Sequence, residues 1–217
     1  MAAFSALTAM LAAWAAYAEV NPFLNAGLDG AGKLAALIDG RMAPGLSSDA
    51  REIYAAACLE VAPRLEARML PAEPAARLRE ACPDRLEQIA AGSPVNAFLW
   101  FARARLALDA GDAEALNHGL VLSGGTAPNE YWLVARRFDL AERGAALLGE
   151  AAATQHRADM RVLAATGPGS RLLAARYVLS PAARDRIAAA VEQVPAQYQQ
   201  WFLANVREFT PTGGELP

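Results

Sequence analysis

The chain has 217 residues, enough for one ordinary domain with a terminal appendage. Its net charge of −3 and pI near 5.5 exclude a nucleic-acid surface, which needs a clustered basic excess. Alanine is heavily over-represented and alternating runs of β-branched residues are nearly absent, so helices are favoured and strands have little support.

Met1 to Ala18 is apolar apart from Ser5 and Thr8 and carries no charged side chain. Three readings compete. Ala16-Tyr17-Ala18 has the small-x-small pattern of a secretory cleavage site, although the basic leading region is missing. A membrane anchor needs about 20 apolar residues, and Val20, Pro22, Phe23 and Leu24 extend the run past Glu19. Alanine contributes little to insertion, so such a span is marginal and wants a partner helix. The third reading is a buried helix of the fold. We take residues 1–24 as a membrane anchor or signal-like helix. Lys33 and Arg41 follow the segment, which favours a cytoplasmic body, whereas the cysteines below favour a periplasmic one.

Residues 25–48 read as a glycine- and proline-containing connector with a short helix at Lys33–Ile38. Gly27 to Lys33 fits the G-x-x-x-x-G-K spacing of a phosphate loop. Leu34 then stands where a metal-binding Ser or Thr is required, and no strand run precedes the glycines. A connector is the better reading.

A helix from about Asp49 to Met69 shows Tyr54, Cys58, Val61, Leu65 and Met69 along one stripe. Leu70-Pro71 through Pro74 breaks it, and a second helix runs through Leu78 towards Cys82-Pro83. Cys58 and Cys82 each lie twelve residues from Leu70, so an antiparallel pair turning there sets them at one height. That suits a disulfide if the Cα atoms come within about 6 Å. The alternative is two unrelated buried thiols.

Pro83 or Asp84 opens a helix ending near Gly92, and Ser93-Pro94 caps the next one. That helix holds Phe98, Trp100, Phe101, Ala104 and Leu108. Gly111-Asp112 forms the turn, and Ala113 to Leu122 returns, closed by Ser123-Gly124-Gly125. Trp100, Ala104, Gly111, Asp112 and Pro128 then occupy the aromatic, small, turn and terminating-proline positions of a 34-residue tetratricopeptide unit. Such a unit cannot bury its apolar face alone, so neighbouring helices must stack on it.

The helix after Pro128 carries Val134, Phe138, Ala141, Ala145 and Leu148 at core spacing. Gly167-Pro168-Gly169 is a break, and Ser180-Pro181 opens a helix through Ile187 and Val191. Beyond Pro195, Tyr198, Phe202, Val206 and Phe209 share a face, and residues 210–217 read as a flexible tail. No second copy of the repeat matches as well. The expected fold is therefore all-α: a short, degenerate tetratricopeptide-like solenoid of helical hairpins over residues 49–209, with an apolar N-terminal helix.

Chemistry is sparse. His118 and His156 have no His or Cys at helical spacing, so no metal is expected. Ser170 and Ser180 lack a nucleophile-elbow context, and Glu60 with Glu66, or Asp139 with Glu142, read as solvated carboxylates. No catalytic residue and no cofactor is assigned. The candidate partner-binding residues are Tyr131, Trp132, Arg136 and Arg137, because aromatic and arginine side chains are enriched at interface hot spots. Trp100 is assigned to the repeat's own core.

The residues Trp100, Gly111, Asp112, Ser123, Pro128, Glu130, Trp132, Arg136 and Arg137 follow a W…G-D…S…P-x-E-x-W…R-R progression. From about Ser93 to Leu148 the chain thereby resembles small bacterial tetratricopeptide-like helical proteins with an N-terminal apolar segment. The resemblance implies association with envelope polysaccharide or O-antigen assembly, and implies no catalytic residues. The expectation is a non-enzymatic, membrane-tethered adaptor or scaffold whose partner is a membrane protein. Two alternatives stand beside it. One is an accessory subunit stabilised in a larger membrane complex through its N-terminal helix. The other is an enzyme acting on an acidic glycan gathered by Arg136, Arg137, Arg171 and Arg176.

Overall fold

A computed structural model describes residues 2–210, with side chains from residue 6 onward. The tail beyond Thr210 lies outside the described residues. Among those described, every regular element is a helix. The chain forms two compact units, residues 1–119 and 120–217. The segment 49–209, expected as one repeat domain, is thus shared between both.

The first unit begins with α1 (Ala2–Ala26), α2 (Gly30–Ile38) and α3 (Ser48–Val61). Asp29 caps α2 by accepting from Gly32 N at 2.7 Å, and Ser47 caps α3. The helix expected to reach Met69 stops at Val61, because Pro63 cannot supply the next backbone donor. A single turn, α4 (Leu65–Arg68), follows. Next come α5 (Ala72–Arg79), a π turn over Glu80–Asp84 and α6 (Arg85–Ala91), without interruption. Pro83, expected at a helix start, sits inside that π turn, whose wider winding accommodates a residue with no N–H.

Then α7 (Ala97–Ala110) is capped by Asn96, whose Oδ1 accepts from Phe98 N and Leu99 N at 3.1 Å. Ser93 and Pro94 form the turn before that cap and are not themselves the cap. Gly111, at φ +73°, ends α7 in the left-handed conformation that glycine adopts without strain. Asp112 opens α8 (Ala113–Thr126) by accepting from Ala115 N at 3.0 Å. This helix continues through Ser123-Gly124-Gly125, past its expected end at Leu122. At Gly119 an added Cβ would lie 2.7 Å from the Trp100 carbonyl oxygen and 2.9 Å from Ala104 Cβ. Close approach of α7 and α8 therefore occurs there, and Trp100 meets His118 edge to face at 5.4 Å between centroids. Leu37, Tyr54, Cys58, Leu86, Leu99 and Trp100 are buried in this unit.

Cys58 on α3 and Cys82 in the π turn form a disulfide, their Cα atoms 5.6 Å apart. The chain between them is the α4–α5 excursion.

The C-terminal half of α1 is built into this unit. It packs on α3. Asn21 is buried, donating to the Arg41 carbonyl and accepting from Ala43 N, both at 2.8 Å. Glu19 Oε2 accepts from Leu46 N and Ser47 N at 2.9 Å; the Ser47 hydroxyl first, and then these amides, hold its carboxyl below the usual carboxylate range. Further toward the N-terminus the helix is uncovered: Leu7, Met10, Leu11, Trp14 and Tyr17 are each 57–71 % exposed. The buried-core reading of Met1–Ala18 is therefore corrected for the side chains described. Ten of the 25 residues of α1 are alanine. Among the described residues, no helix is long and apolar enough to cross a membrane.

The second unit contains α9 (Tyr131–Arg143), α10 (Glu150–Ala164), α11 (Gly167–Leu179), α12 (Arg184–Val191) and α13 (Ala196–Phe209). Thr166 caps α11 by accepting from Gly169 N, so the Gly167-Pro168-Gly169 break is also a helix start. α9 packs on α10, α10 on α11 and α12, and α11 on α13. Val134, Phe138, Met160, Leu163, Ile187 and Phe202 meet in its core. Ala145 and Leu148, expected on the same stripe as Val134, lie beyond the end of α9 and are half-buried.

Candidate functional site

The four candidate partner-binding residues separate by helical phase. Tyr131, Trp132 and Arg136 stand on the outer face of the first turns of α9; Trp132 is 46 % exposed. Arg136 lies over the Trp132 ring, its Cζ 5.5 Å from the centroid, a pairing four residues apart on one helix.

Arg137 is a correction: it is fully buried and cannot touch a partner. Its guanidinium forks onto Asp159 of α10, with Nη2 2.7 Å from Oδ1 and Nε 2.9 Å from Oδ2. Nη1 donates to the Ser123 and Ala127 carbonyls at 3.3 and 3.2 Å, and Gln155 supports Asp159 at 3.0 Å. The sequence signal was present, since Arg137 is three residues after Val134 and four before Ala141.

A second polar cluster escaped the sequence reading. Glu142 of α9, taken there as solvated, has a side chain only 2 % exposed. Its Oε1 lies 2.7 Å from Nε2 of the buried His156, and its Oε2 accepts from Arg186 of α12 at 2.9 Å. Burial pushes this carboxyl up, but the bonds and charges of His156 and Arg186 outweigh it and hold it below its ordinary value. His156 also stacks on Phe138. No signal local to α9 revealed this, because the partners come from α10 and α12.

Three of the four arginines named in the glycan reading are already answered by carboxylates. Arg137 is committed to Asp159, Arg171 is clamped by both oxygens of Glu208 at 2.6 Å, and Arg176 is held by Asp139 at 2.6 Å. Among the described residues no group of three or more His, Cys, Asp or Glu could hold a metal ion. The phosphate-loop match also resolves into structure. Asp29 is a helix cap, and Lys33 reaches Glu60 at 2.6 Å, with α1 where a strand would be needed.

Trp100 and Ala104 are buried on α7, Gly111-Asp112 makes the turn into α8, and Pro128 is exposed before α9. Arg103, out of keeping with the repeat pattern, reaches Glu87 at 2.9 Å.

No family model, curated protein or solved structure matches the chain.

The largest departure from an ordinary surface is then α1. A helix that is apolar all round is normally enclosed. Here a row of large side chains, extended by Leu24, is left in contact with solvent. Contiguous apolar surface beyond a few hundred Å² marks an interaction site.

Proposed function

We propose that the chain is a non-enzymatic helical adaptor, a scaffold subunit of a bacterial envelope assembly of the polysaccharide-related kind. It docks through the uncovered face of α1 on an apolar helix of a membrane-protein partner. The observation that carries this reading is the exposure of Leu7, Met10, Leu11, Trp14 and Tyr17 on a helix whose other end is fastened to the folded body.

The chemistry of α1 supports a helix as the occupant. Its first seventeen residues, Ala2 to Ala18, bear no charged side chain, so the opposing surface has no charge to answer. Ala9 with Ala13, and Ala12 with Ala16, set small residues four apart, which lets helix backbones approach closely. A helix lying flat in a lipid interface would instead need a polar, Lys/Arg-rich side. The tether read on residues 1–24 is on this view a protein contact. The Cys58–Cys82 disulfide supports an oxidising, periplasmic location for the body. Tyr131, Trp132 and Arg136 offer a second, smaller contact surface. The integration of Glu19 and Asn21 into the first unit favours the closely related reading of an accessory subunit stabilised through this helix.

Site-specific photo-crosslinking from Met10 of the full chain, in membranes of its native host, tests the proposal. The expected result is one discrete adduct with a membrane protein, lost in a Leu11→Glu/Trp14→Glu variant. Absence of an adduct, or an adduct unchanged by the double substitution, would refute it.

A further inference from the structure

The first unit also holds a cavity of about 420 Å³ that the adaptor reading does not use. Ile38 of α2 with Ala43 and Pro44 of the following loop supply its accessible apolar lining, backed by the buried Leu37, Met42 and Tyr54. The remainder is charged: Arg77 of α5, Glu80 of the π turn and Arg85 of α6. Its volume lies within the ~300–1,000 Å³ usual for small-molecule sites.

The charges are not equivalent. Arg77 is already answered by Glu73 at 2.8 Å. Arg85 donates to the neutral side-chain oxygen of Gln88 at 3.2 Å. Among the described residues neither Arg85 nor Glu80 is in an ion pair. The π turn's i to i+5 bond, from the Arg85 N–H to the Glu80 carbonyl, stacks these two positions one turn apart. The wall therefore offers one unspent cation and one unspent anion beside an apolar surface.

The surroundings are fixed in advance. The Cys58–Cys82 bridge joins α3 to the π turn, and the Tyr54 hydroxyl donates to the Ala81 carbonyl. Burial pushes Tyr54 up to about 12, with the nearby Arg85 charge acting in opposition. A site that needs no reordering on binding loses less entropy when it fills.

We propose that this cavity binds a small apolar zwitterion of dipeptide size. Its carboxylate meets Arg85, its ammonium meets Glu80, and its side chains lie on Ile38, Ala43 and Pro44. This assignment is independent of the docking role of α1.

Calorimetric titration of the full chain with leucyl-leucine, its N-acetyl form and its C-terminal amide provides the test. The free dipeptide is expected to bind, and each blocked form to bind about tenfold more weakly, since each removes one charge-assisted contact. Arg85→Gln should abolish the preference for the free carboxylate, and Glu80→Gln the preference for the free ammonium. Ile38→Trp, which fills the apolar part, should weaken all three ligands. No binding of leucyl-leucine, or equal binding of the three ligands to the unaltered chain, would overturn the proposal. Unchanged binding by Ile38→Trp would place the ligand elsewhere and overturn it too. The blocked ligands decide the matter on the unaltered protein even where a variant folds poorly.

Discussion

Arg137 shows how one residue is decided by phase. On a helix at 100° per residue, Arg136 and Arg137 leave in different directions, and only the second falls between Val134 and Ala141 on the core side. Its charge is tolerable there because Asp159 and two carbonyls meet it. Arg137→Ala leaves the Asp159 carboxylate buried and unpaired, so we expect a loss of about 3–5 kcal/mol in urea denaturation. Arg137→Met combined with Asp159→Leu should recover most of that loss, since a well-packed apolar pair avoids the desolvation of both ions. Glu142 contributes acid sensitivity to the same unit. Its folded carboxyl titrates below the ordinary value, so its contribution is complete above the unfolded value and disappears as pH falls through the folded one. Between about pH 6 and pH 3 the denaturation midpoint should therefore fall less steeply in Glu142→Gln than in the unaltered chain. Tyr131, Trp132 and Arg136 could be read as surface candidates from the sequence, because their phase is local to one helix. The pairing of Glu142 with His156 and Arg186 could not, because it depends on how three helices pack.

At the level of elements, the Gly111-Asp112 turn was legible and does in the structure what its chemistry dictates, whereas the caps Asp29 and Ser47 were not singled out in the sequence. Prolines were less informative. Pro63 ends α3 in mid-stripe, whereas Pro83 is absorbed in a π turn, and periodicity alone does not distinguish the two outcomes. The α7–α8 pair is the clearest case of packing set by a missing side chain. Gly119 has the backbone and Ala104 of the facing helix within van der Waals distance of any added methyl group. Gly119→Ala should therefore destabilise the protein by about 1–3 kcal/mol through overpacking, despite alanine's better helix propensity. Thermal unfolding of that single variant is the check; a gain in stability would show that the helices do not approach there.

For the whole molecule, the uncovered part of α1 governs behaviour in solution. The apolar surface presented by its large side chains is on the order of several hundred Å², comparable with one side of a standard interface of about 800 Å². Deprived of its partner, the full chain should associate with itself as concentration rises, and sedimentation velocity should register the growth. Leu11→Glu/Trp14→Glu should keep the protein monomeric over the same range, because charge on that face cannot be buried against a copy of itself.

The fastening of Asn21 has a mechanical corollary. Its carboxamide grips both sides of Met42, through the Arg41 carbonyl and the Ala43 amide, and Met42 and Ala43 form part of the cavity rim. Because both bonds close on one carboxamide, Asn21→Ala would release the Arg41–Ala43 loop and the base of α1 in a single step.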